Sequence, residues 1–529
     1  MDSLPSRRSG GQGNGGRTKV WGYEFEWTPE HLTEEQMRPL QFTYDALADK
    51  CLDRLDVLQP TLPAIPKSDT GKDGDNTEKG QKQPLSPSAC SAPNSTEATG
   101  QNDESKTKSS HCNRDLYELL RQHAPEDETL QKLWIEVNTV PGWVNWEQIE
   151  RGQKVFYRYA GPSIVALTFQ SLLGGMGGQR VVETLTRTGG FRGDVARRRL
   201  LDTFQHILDI THSIDSVQPV DGATGKEGGK GFASSLRVRL LHASVRRRIL
   251  QLQTKTPAYY DVDTFGIPIS DLDSISTVLA FSATLIWIGF PRQGIFLREA
   301  EIADYMALWR WVAHLLGTPT DAFATPSRAK AMMESLMLSE IAPSATSQTL
   351  ANNIIAGLQN TPPTYASADF LRAEAHWLNG HELADALAIA RPPVFYTVLV
   401  AGQCLFFMAL CYGKRLIPAW DRADIRRLRR RLRTLTLAQT DGKEATFAFQ
   451  YFPNLRRIST APAEKKRSTG NKLGNDQSND DSDSTFWKRL LRKRGVERRN
   501  LQAIICASAV TAWMAWFCFK SAPGLLLFQ

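Results

Sequence analysis

The sequence lacks the spacings that announce a disulfide or zinc framework. Its seven cysteines in 529 residues form an odd count with no CxxC pair, and Cys506 and Cys518 fall in an apolar tail, so nothing calls for an oxidising compartment. No Walker loop, GxSxG elbow, dinucleotide fingerprint or HExxH pair occurs, and His376 and His381 have the wrong spacing for the last of these. The opening MDSLPSRRSGGQGNGG has no apolar stretch to serve as a signal peptide, which predicts a cytosolic body. Strand-like runs are scarce and no fixed-period repeat is visible, so the expectation is an all-α fold.

Several stretches also lack apolar side chains. Residues 1–18, 60–113 and 454–485 are rich in Gly, Ser, Asn, Lys and Asp and cannot bury enough surface to offset chain entropy, which predicts disorder. Between them lie an expected N-terminal helical extension at 19–59 and a helical domain at 114–453. A basic segment with an apolar tail follows at 486–529. The net charge of +8 is concentrated: Trp420 to Thr434 holds seven Arg against two Asp, and Phe486 to Asn500 holds seven Lys or Arg against one Glu. Those windows together carry +11, so the rest of the chain sums to −3, and nucleic-acid binding is not a global property.

Within the domain, apolar residues at spacings of three and four predict helices from Asp194 through Leu208, over Ser234 to Gln253, over Val278 to Phe290 and over Ala300 to Leu316. A Gly-rich loop is expected from Ser216 to Gly231. Val394 to Leu410 is apolar with Gln403 near its centre and reads as a buried helix or a second membrane span. Ala503 to Phe519 has no charge and would extend about 25 Å as a helix. The basic run Lys488 to Arg499 precedes it, the pattern of a single C-terminal anchor with its basic flank on the cytosolic side. In Asp421 to Leu435, Ile425, Leu428, Leu432 and Leu435 form an apolar stripe among arginines. That suits a membrane-surface helix, with a domain-edge helix and a nucleic-acid segment as alternatives.

Two helices place polar residues where a plain core helix would not. Arg239, His242, Ala243 and Arg246 share one stripe, and Arg199, Asp202, Thr203 and His206 share another. On spacing alone His242 is either a satisfied core histidine or a metal ligand, its flanking guanidiniums free to pair with carboxylates. Arg199 and Asp202 read as an ion pair, and His206 as a second ligand or proton relay. His212, His314, His376 and His381 have no matched partner and read as structural or surface residues.

Val140-Pro141-Gly142-Trp143-Val144-Asn145-Trp146, Arg199-Leu200-Leu201-Asp202-Thr203, Arg237 to Arg246 (RVRLLHASVR) and Gly289 to Gly317 follow one another in an order that resembles the rubber oxygenase (latex clearing protein) and MpaB family, the latter ER-bound. The resemblance spans roughly Trp134 to Trp420. It implies a globin-like helical core holding haem b, with His242 as iron ligand and Arg239 and Arg246 beside it. It further implies a distal R-x-x-K-T arrangement matched by Arg199 and Thr203. The lysine position is Asp202 here, which argues against polyisoprene as substrate. The function implied is a membrane-anchored haem oxygenase using dioxygen to oxidise or cleave an apolar alkene or prenyl-type substrate. The partners are membrane lipid and no nucleic acid, at the ER or the mitochondrial outer membrane. The alternative is a non-catalytic, membrane-tethered helical protein that binds lipid or a partner.

Overall fold

The computed structural model describes residues 17–59, 114–188, 193–220, 225–440, 442–447 and 495–521, leaving aside the side chains of 193–194 and 515–521. The predicted disordered segments 60–113 and 454–485, and residues 1–16 of the first, lie outside it. The described chain is all-α apart from one hairpin. That hairpin departs from the helical extension expected at 19–59: β1 (Arg17–Val20) pairs antiparallel with β2 (Tyr23–Glu26), Arg17 opposite Glu26. Its two turn residues, Trp21 and Gly22, both have positive φ, the geometry a two-residue hairpin needs. A buried contact ties the hairpin region to the body. His31 Nε2 lies 2.9 Å from Glu334 Oε2, and Tyr23 donates its hydroxyl to the other oxygen at 2.8 Å.

The body is built from α1 (Ala46–Leu58), α2 (Trp146–Arg158), α3 (Gly193–Thr211), α4 (Lys230–Lys255), α5 (Asp271–Phe281), α6 (Glu299–Leu315), α7 (Ala368–Ala386), α8 (Val394–Leu416), α9 (Pro418–Gln439) and α10 (Gly495–Ser521). Side-chain caps set several starts: Asp45 before α1, Asn145 before α2 and Ser270 before α5 each accept a backbone N–H of the first turn. Two stretches, Leu167–Gly174 and Leu285–Gly289, widen into π-helical turns, pack on one another and face the interior.

One apolar core gathers Phe156, Tyr157, Trp311 and Leu308 around α2 and α6, and a second gathers Phe169, Phe370, Leu378 and Leu399 around α7 and α8. α2 and α6 pack most closely where a Cβ on Gly152 would meet the Asp304 carbonyl.

The arginines of α4 rivet it to α1. Arg239, 3% exposed, holds Asp45 through Nε at 2.6 Å and NH2 at 3.0 Å, and reaches Glu136 with NH1. Arg246, 2% exposed, holds Asp49 and donates to the carbonyls of Ile269 and Asp45. Arg247 continues the seam to Asp53 and Asp56.

α9 differs from the membrane-surface helix its sequence predicts. Ile425, Leu428 and Leu432 pack on the core, so protein already covers that part of the apolar stripe. Asp421 accepts three hydrogen bonds from Arg158, and Asp424 pairs with Lys414. The helix thus takes the domain-edge alternative, with Arg422, Arg426 and Arg430 on its open face.

Among the described residues two helical stretches are long and apolar enough to cross a membrane, Asp271–Arg292 and Val394–Leu416. The first contributes Val278, Leu285, Ile286 and Phe290 to the core. α8 is divided: Leu399, Val400 and Phe407 are buried, while Val394, Val398 and Leu405 are exposed. α10 docks on α8 through its first turns. Glu497 accepts from the Ser367 backbone at 2.9 Å, and Gly402 lets Asn500 and Ile504 approach closely. Beyond that contact its apolar side chains are bare: Ile505 is 58% exposed and Trp513 61%.

Gly317 caps α6 at φ +69°, and a Cβ there would meet Asp45 Oδ2 at 2.4 Å and Arg239 Nε at 2.6 Å. Gly317→Ala is expected to destabilise the fold by roughly 2–4 kcal/mol through left-handed strain and a wedge in the α1–α4 seam. Gly225→Ala, at φ +68° with open space around it, should cost only about 1 kcal/mol. Urea denaturation of both variants checks this; equal losses would remove the wedge.

Candidate functional site

A cavity of about 1280 Å³ lies between the two apolar cores, its walls mostly carbon: Phe169, Leu172, Ile207, Val238, Leu279 and Phe370 all face it. α4 presents Ser234, Val238, Leu241, His242 and Val245 on its inner side, and all but Ser234 line the cavity. At about 100° per residue, His242 sits about 60° around the helix from Arg239, at the edge of the inner face.

The structure brings together Arg199, Asp202, Thr203 and His242, all of which line this one cavity. His242 makes no hydrogen bond to any described residue. Burial, reinforced by the Arg246 charge, pulls its pKa down to about 4, so at neutral pH the ring carries an unshared nitrogen lone pair. That is the protonation state a metal or haem ligand requires. No group of three or more metal-binding side chains occurs among the described residues.

Arg239 and Arg246 are not on the wall. Their guanidiniums are occupied by Asp45, Glu136 and Asp49, so they are not available to carboxylates of anything bound in the cavity. The expected Arg199–Asp202 pair also does not form. Arg199 donates to the Thr188 carbonyl at 3.3 Å, and Asp202 lies 3.9 Å from Arg198, one residue earlier. The i,i+4 geometry favours Arg198, and at that distance and exposure the pair contributes little. Burial lowers the Arg199 pKa and raises that of Asp202, so neither charge is well compensated.

His206 stands on the same wall, 8% exposed. Its Nδ1 lies 2.8 Å from Ser234 Oγ, and its Nε2 is buried without a partner among the described residues. Burial, then the neighbouring His242, brings its pKa to about 4. Among the other histidines, His314 stacks on Trp311, and His376 contacts His381 Nδ1 to Nδ1 at 3.1 Å while its Nε2 meets the Ile389 carbonyl.

The sequence reading missed a polar cluster on the wall formed by α7, α8 and α10. Glu374, 2% exposed, accepts from Gln403 Nε2, and Gln403 Oε1 accepts from Arg499 at 3.2 Å and Asn500 at 3.3 Å. Burial raises the Glu374 pKa to about 8, against the opposing pull of Gln403 and Arg499. Gln403 at the centre of an apolar helix was the available signal; its partners lie 29 and 96 residues away.

Unfolded histidine titrates near pH 6.5, whereas His206 and His242 in the fold titrate near 4. Between these values the unfolded chain binds more protons. The contribution of these two histidines to the stability of the cofactor-free protein is therefore fully present above about pH 6.5 and falls as pH drops towards 4. His206→Asn should flatten that slope by close to one proton, read from urea midpoints between about pH 4.5 and 7. An unchanged slope would contradict the buried neutral imidazole.

Residues 157–406 match the family model described as ER-bound oxygenase mpaB/B'/rubber oxygenase, catalytic domain. A short stretch of 34 residues is 56% identical to aurantioclavine synthase cnsA of Penicillium expansum, spanning 6% of this chain and 7% of that protein. A solved structure of latex clearing protein in the closed state aligns with 78% of this chain and 93% of its own, at a TM-score of 0.44 and 17% identity. Over residues 157–406, which include Arg199, Asp202, Thr203, His206 and His242, the chain thus resembles the catalytic domain of the MpaB and rubber oxygenase family.

Proposed function

We propose that this protein is a membrane-anchored, haem-dependent oxygenase acting on an apolar alkene or prenyl-type substrate. The observation that carries the reading is His242: a neutral imidazole with no hydrogen-bond partner among the described residues, on the wall of a large apolar cavity inside the segment that matches an oxygenase catalytic domain. The residues present fit a b-type haem, which would supply activation of dioxygen at its iron.

In this reading His242 holds the iron from α4, and the α1–α4 seam fixes the rotation of that helix and hence the direction of the ring. The apolar wall excludes water and accepts the hydrocarbon part of the substrate. α3 supplies the polar side of the pocket. Thr203 and His206 Nε2 would hydrogen-bond a small polar species there, and Arg199 would stabilise negative charge that develops on it. Asp202, its pKa raised by burial, holds a proton more readily than an exposed carboxylate. A haem carboxylate would be met from the cavity wall rather than by Arg239 or Arg246.

The anchor assigned to α10 is supported by its bare apolar side chains past Ile504 and by the exposed apolar stripe of Val394, Val398 and Leu405 on α8. The basic run ahead of the anchor suits the cytosolic face of the ER, or of the mitochondrial outer membrane. We keep the expected domain boundaries with two changes: Arg17 and Thr18 belong to the hairpin, and the first turns of α10 belong to the helical body, with the anchor beginning after them.

Full-length protein purified with added haem is expected to show a Soret band that His242→Ala abolishes while circular dichroism stays helical. A folded, colourless wild type would favour the lipid-binding alternative. For the anchor, a chain ending after Ser508 should move to the soluble fraction with its fold kept. A chain ending before Gly495 should lose stability as well, because Val496, Leu501 and Ile504 pack on the α7–α8 core. Membrane retention of the chain ending at Ser508 would shift the anchoring role to α8.

A further inference from the structure

The cavity that touches His242 also touches Glu374, Gln403 and Arg499, a second polar group on its wall besides that of α3. Arg499 comes from α10, outside the segment that matches the oxygenase domain. Its guanidinium is held against the rings of Phe406 and Phe407, with its centre 4.5 and 5.7 Å from theirs. Its hydrogen bonds go to the amide oxygens of Gln403 and Asn500, which are neutral. No carboxylate lies within ion-pair distance of it among the described residues. Glu374 meets it only through Gln403, and NH1 makes no hydrogen bond to a described residue.

A guanidinium with neutral partners in an apolar setting is an unbalanced positive charge, and burial lowers its pKa accordingly. Beside it, Glu374 has one oxygen on Gln403 and no other partner among the described residues. As a neutral acid below about pH 8, it can donate a proton rather than repel an anion. Gln403 locks the two in place: its amide nitrogen donates to Glu374, and its oxygen accepts from Arg499 and Asn500. Much of the remaining wall offers carbon to a long apolar chain, and the same cavity carries the imidazoles of His206 and His242 beside the polar side chains of α3.

We propose that Glu374, Gln403 and Arg499 form the head-group end of the cavity and bind the anionic oxygen end of a single-chain amphiphile, such as a long-chain carboxylate, whose hydrocarbon extends towards His242. The inference rests on reading this cavity as the substrate cavity. It makes α10 a wall of the site as well as an anchor. The first turns of α10 would select the substrate, and its remainder would hold the site at the bilayer from which such a chain partitions.

The test measures binding to the full-length chain in neutral detergent, without turnover and whether or not the protein shows a Soret band. The probes are oleic acid and oleyl alcohol, equal in length. The acid is expected to bind about tenfold or more tightly than the alcohol, the scale of one charged hydrogen bond. Arg499→Met should remove that preference by weakening the acid alone; Arg499→Lys should restore part of it. Circular dichroism and the urea midpoint separate loss of the site from loss of the fold. Equal affinity for acid and alcohol in the wild type overturns the proposal. So does an Arg499→Met protein that keeps the preference. A further arm uses vesicles of phosphatidylcholine with and without phosphatidylserine. If Arg499→Met weakens only vesicle binding and leaves oleic acid untouched, Arg499 meets lipid phosphate at the membrane surface and the cavity assignment fails. A colourless protein that still prefers the acid would overturn the oxygenase reading and leave this one standing.

Discussion

The structure depends on the seam of buried ion pairs between α4 and α1. Arg239 and Arg246 are almost wholly removed from water, and each finds a carboxylate in a two-pronged geometry with further bonds to Glu136 or to backbone carbonyls. Burying such charges costs several kcal/mol each, and only close pairing offsets it, so the seam tolerates one rotation of α4 and rejects its neighbours. That rotation turns Val238, Leu241, His242 and Val245 inwards. The ion pairs contribute less to net stability than to the choice of which face of α4 borders the cavity.

The cavity is the second consequence. Both apolar cores contribute to its lining, as do two π-helical turns that pack on one another, Leu167–Gly174 and Leu285–Gly289. Into that space the fold sends imidazoles kept neutral by burial, a threonine, and an arginine and an aspartate that do not pair with each other. These arrangements are costly for a protein whose only task is to stay folded, because each leaves a polar group short of partners. Their concentration on one cavity is what singles it out as the candidate site.

The legible part of the sequence was whatever a single helix records. The apolar spacing of Asp194 to Leu208 and of Ser234 to Gln253 foretold α3 and α4 closely, and the apolar tail foretold a helix over residues 503–519. His242 stood out because a histidine between two arginines is an odd choice for a core stripe. The expected Arg199–Asp202 pair failed on a matter of one residue, since Arg198 has the better helical offset. The reading of α9 failed because an apolar stripe records that a face is covered and not what covers it. The cover here is the core. The hairpin escaped notice because eight strand residues carry too little pattern, and its hold on the body lies in His31 and Glu334, 303 positions apart.

By itself the sequence determined that this chain is helical, which stretches are amphipathic, where its charge sits and that its tail is apolar, because periodicity, composition and caps act within a few residues. Only the tertiary structure decided that Arg239 and Arg246 face α1 while His242 faces the cavity, that Val496 and Arg499 of α10 line that cavity, and that Glu374 meets Gln403 and, through it, Arg499. Those outcomes come from side chains tens to hundreds of residues apart, paired in a water-poor interior where an unmatched charge is too costly to leave alone.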